Sequence, residues 1–299
     1  MPRTSSGIPD VTLANPRADR VKQVRALSGR SARSRHGQFL VEGPQGVREA
    51  VRHAAADVRD VYLTPATAER YDEILHDALD SGLHVHVGTP EVLEAMSPDA
   101  QGVLAVVRAR SHGLDEAVTT LARARAAEGR PLLVAVLATV RDPGNAGTVI
   151  RASDAAGADL VVLAGHSVDP HNPKVVRSTA GSLFHLPVVS GATLAEAVAA
   201  LRSVGCVVLA ADGSGEHDLD DLLDVAGAAP DGSAGVPVET PDLAGSTAWV
   251  FGNEAWGLPE ADRALADAVV RVPIRGQAES LNLATAATVC LYASGRAQR

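Results

Sequence analysis

The sequence predicts an α/β protein of two domains, in which a small N-terminal α/β domain precedes a larger domain built on a parallel sheet. The chain has 299 residues, of which 46% are hydrophobic, so it can bury the cores of about two domains. Short apolar runs of strand length alternate with helical patterns along most of it. No run reaches the roughly 18 apolar residues of a membrane-spanning helix, so a membrane span is excluded.

The N-terminal domain is expected between residues 21 and 108. Residues 1–20 are polar and contain three prolines, which predicts a flexible basic lead-in. The first helix is expected to begin at Arg20, where the apolar residues take on a helical period. The elements that follow are strands at 38–43, 58–63, 83–87 and 102–107, with helices at 43–56, 66–81 and 91–96.

A linker helix is predicted in residues 109–130, and the second domain is expected to span residues 131–299. It opens with the unbroken apolar run 132–140, which is typical of a parallel strand buried on both faces. Helices and strands then alternate as in a doubly wound parallel sheet. Further strands are predicted at 160–163, 186–189, 206–211, 248–251 and 268–272, and helices at 147–156, 172–178, 194–203, 259–266 and 281–298.

Charge is distributed unevenly along the chain. The formal net charge of −9 excludes a histone-like polycation, yet residues 1–40 hold eight basic and two acidic residues, a balance of +6. Residues 212–242 hold nine acidic residues and no lysine or arginine. We therefore interpret residues 212–246 as an acidic, flexible insertion, which would lie away from a polyanionic ligand.

Cysteine, aromatic and histidine patterns exclude further classes of protein. Cys206 and Cys290 lie in apolar surroundings, which predicts buried thiols without a disulfide. The eight aromatic residues are scattered, which argues against the stacking platforms of RRM or OB modules. His84 and His86 are expected on one strand face without further ligands, and the other histidines, His185 among them, are dispersed, so no metal site is predicted. The N-terminus lacks a secretory h-region, so a cytoplasmic location is expected.

Three segments with glycine-rich turn chemistry each follow a strand and open into a helix. They are Arg141–Ala152, Val250–Pro259 and Val272–Asn282. In a parallel sheet all three would lie at the carboxyl ends of strands, which is the edge where ligands bind. The chain lacks both the G-x-G-x-x-G fingerprint of a dinucleotide site and a Walker sequence, so these loops belong to another kind of site.

In this order, the three segments resemble the motifs of the SpoU (TrmH) family of SPOUT methyltransferases, which methylate a ribose 2′-hydroxyl of RNA with S-adenosylmethionine. The matching residues are Asn145, Gly147 and Arg151 in the first motif, Gly252, Asn253, Glu254, Gly257 and Leu258 in the second, and Val272, Pro273, Ile274, Gly276, Ser280, Leu281 and Asn282 in the third. Residues 172–184 also resemble the family, and residues 35–43 and 101–103 resemble its N-terminal substrate-binding domain. The resemblance covers residues 21–299.

The resemblance implies a deep trefoil knot in the C-terminal SPOUT domain, an exception to the general absence of knots. It implies a ribosomal-protein-like RNA-binding fold for the N-terminal domain. S-adenosyl-L-methionine would be held at the knot by Gly252, Val272, Ile274, Gly276 and Leu281, and the two glycines would permit a close approach of the backbone. It also implies a homodimer with a composite active site, in which the partner chain completes the RNA surface.

The same resemblance implies an active site formed by Asn145, Arg151, Glu254, Ser280 and Asn282. In it, Asn145 and Arg151 would face Ser280 and Asn282. The reaction requires that the proton of the 2′-hydroxyl be removed or accepted. Two roles stay open for Arg151, that of a base and that of a charged group that stabilises the developing alkoxide or clamps a phosphate. Glu254 would be an orienting carboxylate at the end of its strand.

Arginines outside the motifs are candidate RNA contacts. We expect Arg30, Arg33 and Arg35 of the basic arm to bind RNA, and Arg177 either to contact RNA phosphate or to pair with an acidic neighbour. The expected substrate is 23S rRNA, since transfer RNA enzymes of this family commonly lack such an N-terminal domain. The alternatives are a tRNA 2′-O-methyltransferase and a non-catalytic RNA-binding or ribosome assembly factor, against which the intact motif residues argue.

Overall fold

The computed structural model describes residues 10–227 and 240–299, and the chain divides into two compact units. The first unit comprises the chain up to Arg110 together with residues 171–185, and the second comprises the remainder. The sequence predicts that residues 171–185 belong to the second domain, but in the structure they belong to the first unit.

Strands and helices alternate through both units. The strands are β1 (Val11–Leu13), β2 (Gln38–Glu42), β3 (Val58–Leu63), β4 (His84–Gly88), β5 (Val103–Arg108), β6 (Leu133–Ala138), β7 (Leu160–Ala164), β8 (Val188–Ser190), β9 (Val207–Ala211), β10 (His217–Asp218), β11 (Thr247–Phe251) and β12 (Ala268–Arg271). The helices are α1 (Asp19–Ala26), α2 (Arg30–His36), α3 (Pro44–His53), α4 (Pro65–Arg70), α5 (Asp72–Asp80), α6 (Pro90–Met96), α7 (Leu114–Glu128), α8 (Pro143–Ala156), α9 (Pro173–Ser178), α10 (Leu194–Ser203), α11 (Leu219–Asp224), α12 (Glu260–Arg263) and α13 (Leu283–Ala297). In the described ranges, none of these helices combines the length and the apolar content needed to cross a bilayer.

The first unit contains a five-stranded sheet in the order β1-β4-β3-β5-β2. Its first strand corrects part of the predicted lead-in, because Val11–Leu13 pairs in parallel with β4 and Val11 lies opposite Val87. Three residues are too few to show an alternating pattern, so a strand this short is recognised only through its partner. The start of the predicted lead-in, residues 1–9, lies outside the described residues.

Residues 171–185 join the first unit because their apolar side chains belong to its core. Val176 is buried in the same hydrophobic cluster as Phe39, and Leu183 and Phe184 pack against that cluster. Apolar burial on this scale stabilises by about 1.5–3 kcal/mol per large side chain, which is enough to decide where a short segment docks. The segment is therefore far in sequence from the core that it completes.

Arg177 lies in this segment and is held by carboxylates of the first unit. The Glu42 side chain is only 4% exposed and accepts hydrogen bonds from Arg177 and from the hydroxyl of Ser97. An Asp99 oxygen lies 3.0 Å from the same guanidinium. Of the two roles that the sequence left open, the structure shows the pairing with acidic neighbours, and an RNA contact by Arg177 stays a prediction.

Replacing Arg177 with alanine is expected to destabilise the protein by about 3 kcal/mol, because it leaves the buried Glu42 carboxylate without its counter-charge. Urea unfolding followed by circular dichroism measures the change. Lys174→Ala is the matched control, since Lys174 is exposed on the same helix and its loss is expected to cost less than about 0.5 kcal/mol. Equal stabilities of the two variants would remove Arg177 from this structural role.

The second unit contains a seven-stranded sheet in the order β10-β12-β9-β11-β6-β7-β8, and every pair in it is parallel. The parallel sheet predicted from the sequence is confirmed. Every residue of β6 is buried, as its unbroken apolar run indicates. The strand order reverses at β6, with β7 and β8 to one side and β11 and β9 to the other. The loops after β6 and β11 are therefore neighbours at a switch point, where α/β sheets bind ligands.

The last helix, α13, packs along α8 and across β11. Gly295 permits the close approach of the two helices, because a Cβ at this position would lie 2.6 Å from the carbonyl oxygen of Ala156. On the sheet side, the indole nitrogen of buried Trp249 donates a hydrogen bond of 2.9 Å to Ser294 Oγ. These contacts fix the C-terminal part of α13 against β11 and α8.

The structure corrects the prediction of a flexible acidic insertion at 212–246. The first part of this segment forms β10, which pairs with β12, and α11, which buries Leu219 and Leu222. Asp218 also pairs with an arginine of β12 at 3.3 Å. Apolar burial and a counter-charge therefore order this part of the segment, although its composition alone predicts disorder. The predicted insertion continues through residues 228–239, which lie outside the described residues.

Both cysteines are free and buried, as the sequence predicts. Burial raises the pKa of the Cys206 thiol to about 12, and it also raises the pKa of the Cys290 thiol. Both residues are therefore neutral thiols at physiological pH, which excludes them as thiolate nucleophiles.

Candidate functional site

A cavity of about 350 Å³ opens at the carboxyl edge of the sheet in the second unit. The loops after β11 and β12 and the beginning of α13 form its walls, so the second and third motifs meet here. The predicted site residues that line it are Gly252, Glu254, Val272, Ile274, Ser280 and Leu281. Its volume falls within the roughly 300–1,000 Å³ of small-molecule sites.

The first motif reaches this edge through hydrogen bonds. Asn145 Nδ2 donates to Glu254 Oε1 at 3.3 Å, and Asn282 Nδ2 donates to Asn145 Oδ1 at 3.1 Å. The backbone N–H of Asp142 donates to the same Glu254 oxygen, also at 3.3 Å. One residue from each motif therefore enters a single chain of hydrogen bonds, Glu254–Asn145–Asn282. The structure brings together three of the five residues predicted to form the active site.

Helix N-termini position this chain of hydrogen bonds. Asp142 caps α8, and its Oδ1 accepts a hydrogen bond of 2.7 Å from the backbone N–H of Asn145. Asn282 caps α13, and its Oδ1 accepts a hydrogen bond of 2.9 Å from the backbone N–H of Ala284. Since the carbonyl oxygen of the Asn282 amide is engaged by the helix, its NH₂ group is left to face Asn145.

The loop after β11 owes its shape to Gly252 and Asn253. A Cβ on Gly252 would lie 2.5 Å from the carbonyl oxygen of Gly257, so only glycine fits. Asn253 is 6% exposed, and its Nδ2 donates to the carbonyl oxygen of Thr139 at 2.8 Å. Gly252 is therefore required because the backbone of Gly257, in the same loop, lies against it. At Gly276, by contrast, nothing lies within 4 Å of an added Cβ, and this residue does not line the cavity.

Arg151 lies apart from the chain of hydrogen bonds. It is exposed on α8, six residues after Asn145, which places it about 9 Å further along the helix and about 120° around it. Within the described ranges, its guanidinium has no hydrogen-bond partner. The 3.6-residue period of the helix therefore separates Arg151 from Asn145, and the predicted arrangement in which Arg151 faces Ser280 and Asn282 stays a prediction.

The arginines predicted to bind RNA from the basic arm differ in exposure. Arg30 and Arg35 are exposed on α2 of the first unit. Arg33 is only 6% exposed, and its guanidinium donates to the carbonyl oxygens of Leu27 at 3.2 Å and Ser28 at 2.7 Å. Because its donors serve carbonyl groups near the end of α1, the structure does not support an RNA contact by Arg33.

Asp212 is a cavity residue that the sequence does not predict, because it is the first residue of the expected acidic insertion. It follows β9 and lines the cavity with Glu254 and Glu279, whereas the lining contains no lysine or arginine. Burial would raise the pKa of the Asp212 carboxyl, but hydrogen bonds from Ser214 and the charge of Arg263 hold this pKa below its usual value. The cavity is therefore lined by ionised carboxylate at neutral pH, which suits a cationic ligand. The position of Asp212 directly after a parallel strand is the sequence signal that could have identified it as a cavity residue.

Two histidines that look dispersed in the sequence meet in the first unit. His53 Nε2 and His185 Nε2 lie 3.3 Å and 3.1 Å from the same Glu49 oxygen. In the described part of the chain, this is the one group of three side chains with the spacing of potential metal ligands. A hydrogen bond between His185 and Glu49 and the close approach of His53 to the same carboxylate account for the arrangement, and the absence of a metal stays a prediction.

The fold and the site define a methyltransferase of the SPOUT class, in which three motif loops meet at the carboxyl edge of a parallel sheet. The chain belongs to the SpoU rRNA methylase family, whose model matches residues 132–292. A second family model, the MRM3-like substrate binding domain, matches residues 18–105. The family membership inferred from the three motifs is confirmed.

Relatives and solved structures agree with this assignment. The chain is 32% identical to a 23S rRNA (uridine(2479)-2′-O)-methyltransferase of Streptomyces viridochromogenes, over 93% of this chain and 89% of the relative. It is 30% identical to the 23S rRNA (guanosine(2553)-2′-O)-methyltransferase RlmP of Bacillus subtilis, over 94% of this chain and 97% of that relative. The crystal structure of the SpoU methyltransferase AviRb from Streptomyces viridochromogenes with AdoMet superposes with a TM-score of 0.73 at 31% identity, covering 93% of this chain and 98% of that chain.

Proposed function

We propose that this protein transfers the methyl group of S-adenosylmethionine to a ribose 2′-hydroxyl of 23S rRNA. The observation that carries the proposal is that the second and third motifs line one cavity, and that the Glu254–Asn145–Asn282 hydrogen bonds join the first motif to them beside it. The two relatives act on different nucleotides of the same RNA, which supports 23S rRNA as the substrate and leaves the nucleotide to experiment.

The cavity fits S-adenosylmethionine in size and charge. When bound, this cofactor supplies a methyl group on a positively charged sulfonium. The carboxylates of Asp212, Glu254 and Glu279 favour such a cation, and the apolar walls suit a nucleoside. Of the predicted cofactor residues, Gly252, Val272, Ile274 and Leu281 line the cavity and would hold the cofactor, whereas the predicted contact of Gly276 rests on the resemblance alone.

Asp212→Asn is expected to weaken binding of S-adenosylmethionine by about tenfold, because it removes one negative charge from the lining of a cavity that would hold a cation. S-adenosylhomocysteine lacks the sulfonium charge, so its affinity is expected to change less. Isothermal titration calorimetry with both ligands measures the difference. Glu260→Gln, an exposed carboxylate outside the cavity, is the control, and equal losses for the two ligands would contradict a charge effect.

The chain's own residues would prepare the 2′-hydroxyl for attack. The Glu254 carboxylate holds the Asn145 amide, whose carbonyl oxygen in turn accepts from Asn282, so these polar groups are oriented in advance. Ser280 lines the cavity and adds a hydroxyl at the same edge. Arg151 is the cation of the first motif, and in its charged form it would stabilise the developing alkoxide.

Asn282 has two roles that substitutions separate. Asn282→Ala is expected to destabilise the protein by about 1 kcal/mol through loss of the cap of α13 and to lower methyl transfer. Asn282→Asp retains a capping oxygen but loses the amide donor to Asn145, so its stability is expected to stay near that of the parent while transfer still falls. Urea unfolding and a methyl-transfer assay measure the two effects. Full transfer activity of Asn282→Asp would show that this hydrogen bond is dispensable.

We propose further that the chain acts as a homodimer through α8 and α13. On α13, Val289 and Tyr292 are 40% and 49% exposed, although both are large and hydrophobic. They line one groove with Ala155 of α8. Because Thr148, Arg151 and Ala155 form the exposed stripe of α8, a second copy on this face would receive Arg151 at the interface. This accounts for the separation of Arg151 from its own chain's polar residues and supports a composite active site.

The trefoil knot belongs to the same proposal. The loops after β11 and β12 line one cavity, although β9 lies between these two strands in the sheet. The chain then returns as α13 to pack on α8 and β11. Such a path supports threading of the C-terminal segment through an earlier loop.

The first unit would bind the RNA. Its family match to a substrate-binding domain supports this role, and Arg30 and Arg35 are exposed on α2 to meet phosphate. We propose a cytoplasmic location, where an enzyme acting on ribosomal RNA meets its substrate.

Transfer of tritiated methyl groups to protein-free 23S rRNA and to total tRNA tests the proposal. We expect label in 23S rRNA at one 2′-O-position, found by alkaline hydrolysis and primer extension. Label in tRNA alone would favour the tRNA methyltransferase. Binding of RNA without binding of S-adenosylmethionine in calorimetry would favour the non-catalytic RNA-binding or assembly factor.

A further inference from the structure

Trp256 is exposed at the catalytic edge of the second unit. It lies in the loop after β11, two residues after Glu254, and 53% of its surface is exposed. The other tryptophan of the chain, Trp249, is completely buried. An indole is among the largest apolar groups that a chain can leave in water, so its exposure beside a functional carboxylate indicates a binding role.

The guanidinium of Arg141 lies over the Trp256 ring, 5.4 Å from the ring centroid. Arg141 precedes Asp142, whose backbone N–H donates to Glu254 at 3.3 Å. The first and second motif loops therefore hold this pair together, next to the Glu254–Asn145 hydrogen bond. The cation–π contact orients the ring and adds a positive charge beside it.

Trp256 is not part of the cofactor cavity. Glu254, Ala255 and Gly257 line that cavity, whereas Trp256 between them does not. The ring is therefore displayed on the outside of a loop whose neighbouring residues face inward. An exposed ring at this place would meet the second substrate rather than the cofactor.

We propose that Trp256 and Arg141 form a stacking site for one unpaired nucleobase of the RNA substrate. The inference rests on the proposed function and deepens it. Sequence-specific proteins read single-stranded RNA by stacking unstacked bases on aromatic rings and guanidinium planes, and the charge of Arg141 also suits the RNA backbone. The scattered aromatic residues exclude an extended platform, but one ring held by one arginine suffices for one base. Stacking there would present a splayed-out nucleotide at the mouth of the active site.

Trp256→Ala and Trp256→Phe test this site in methyl transfer to a 23S rRNA transcript. Loss of one stacked base is expected to raise the KM for RNA, or the Kd for RNA, by about 5- to 150-fold in Trp256→Ala. Trp256→Phe retains an aromatic face, so we expect it to stay within about 3-fold of the parent. Arg141→Ala is expected to weaken RNA binding and Arg141→Lys to restore part of it, since lysine keeps the charge. Binding of S-adenosylmethionine, measured by calorimetry, is expected to be the same in all four variants.

Fluorescence gives a second readout, because the chain has one exposed and one buried tryptophan. Poly(U) at low salt is expected to quench the Trp256 emission and to protect it from acrylamide. Inorganic polyphosphate carries negative charge but no bases, so we expect it neither to quench the Trp256 emission nor to protect it from acrylamide. Trp256→Phe retains only the buried Trp249, so its remaining emission is expected not to respond to poly(U).

The inference is overturned if Trp256→Ala binds and methylates RNA like the parent protein, or if it loses cofactor binding in parallel with RNA binding. Conversion of a dimer to a monomer by Trp256→Ala in sedimentation would also overturn it, because the ring would then serve a second copy of the chain. These outcomes are distinct from failure of the proposed function. If the protein methylates no RNA but poly(U) still quenches the Trp256 emission, the stacking site is supported and the proposed enzymatic function is contradicted.

Discussion

Replacing Arg151 with alanine is expected to lower kcat for methyl transfer by about 10²- to 10³-fold, the usual cost of removing one group that stabilises developing negative charge. Binding of S-adenosylmethionine is expected to be unchanged, because Arg151 is exposed on α8 and does not line the cavity. Filter-binding assays of tritiated RNA and calorimetry with the cofactor measure the two quantities. Transfer at the parent rate would exclude Arg151 from the chemistry.

The Arg151→Lys variant and the pH profile separate the two roles that the sequence leaves open. A charged arginine that stabilises the alkoxide, with an ionised carboxylate of the site as the acceptor of the hydroxyl proton, predicts a rate that changes little between about pH 7 and 9, and substantial activity in Arg151→Lys. A neutral arginine acting as base predicts a rate that rises about tenfold per pH unit over the same range, because the guanidinium pKa lies above 12. Thr148→Ala, one turn earlier on the exposed stripe of α8, is the control for nonspecific effects on this face.

Gly252→Ala is expected to abolish cofactor binding and to destabilise the protein by about 3 kcal/mol. An added Cβ would lie 2.5 Å from the carbonyl oxygen of Gly257 and 2.6 Å from the nitrogen of Leu258, and backbone atoms cannot move aside as a side-chain tip does. The loop from Gly252 to Gly257 forms one wall of the cavity, so its displacement removes the site. Urea unfolding and calorimetry measure the two losses.

Gly276→Ala is the matched control for this prediction. Nothing lies within 4 Å of a Cβ at this position, so we expect the stability to change by less than about 0.5 kcal/mol. The family resemblance implies that the cofactor approaches Gly276 closely, in which case cofactor affinity alone is expected to fall. Parent-like stability and binding in Gly252→Ala would show that the loop after β11 is not under the steric constraint seen here.

The meeting of the motifs was predictable from the sequence because it rests on one rule. Parallel strands end at the same edge, so Asn145, Glu254 and Asn282, each in a segment that follows a strand, are expected to converge, and the hydrogen bonds of 3.3 Å and 3.1 Å show that they do. The position of Arg151 did not follow from that rule. Successive residues of a helix are rotated by about 100° around its axis, so a spacing of six residues places Arg151 about 120° away from Asn145.

The roles of individual charges were the least predictable part. Arg33 and Arg177 look like surface cations in the sequence, yet one serves carbonyl groups near the end of α1 and the other pairs with buried Glu42, 135 residues away in the chain. Asp212 looks like the first residue of an acidic insertion, yet it lines the cavity. A charged side chain takes its role from what folding brings next to it, and these neighbours are distant in sequence.

The sequence by itself determined the alternation of strands and helices, the parallel sheet and the three motif loops at its carboxyl edge. These follow from local periodicity and from the shared direction of parallel strands. Only the tertiary structure decided that residues 171–185 complete the first unit, that Asp212 faces the cavity and that Trp256 is displayed outside it. The reason is physical: burial, counter-charge and steric fit depend on side chains that meet across long stretches of chain, and no local pattern records those encounters.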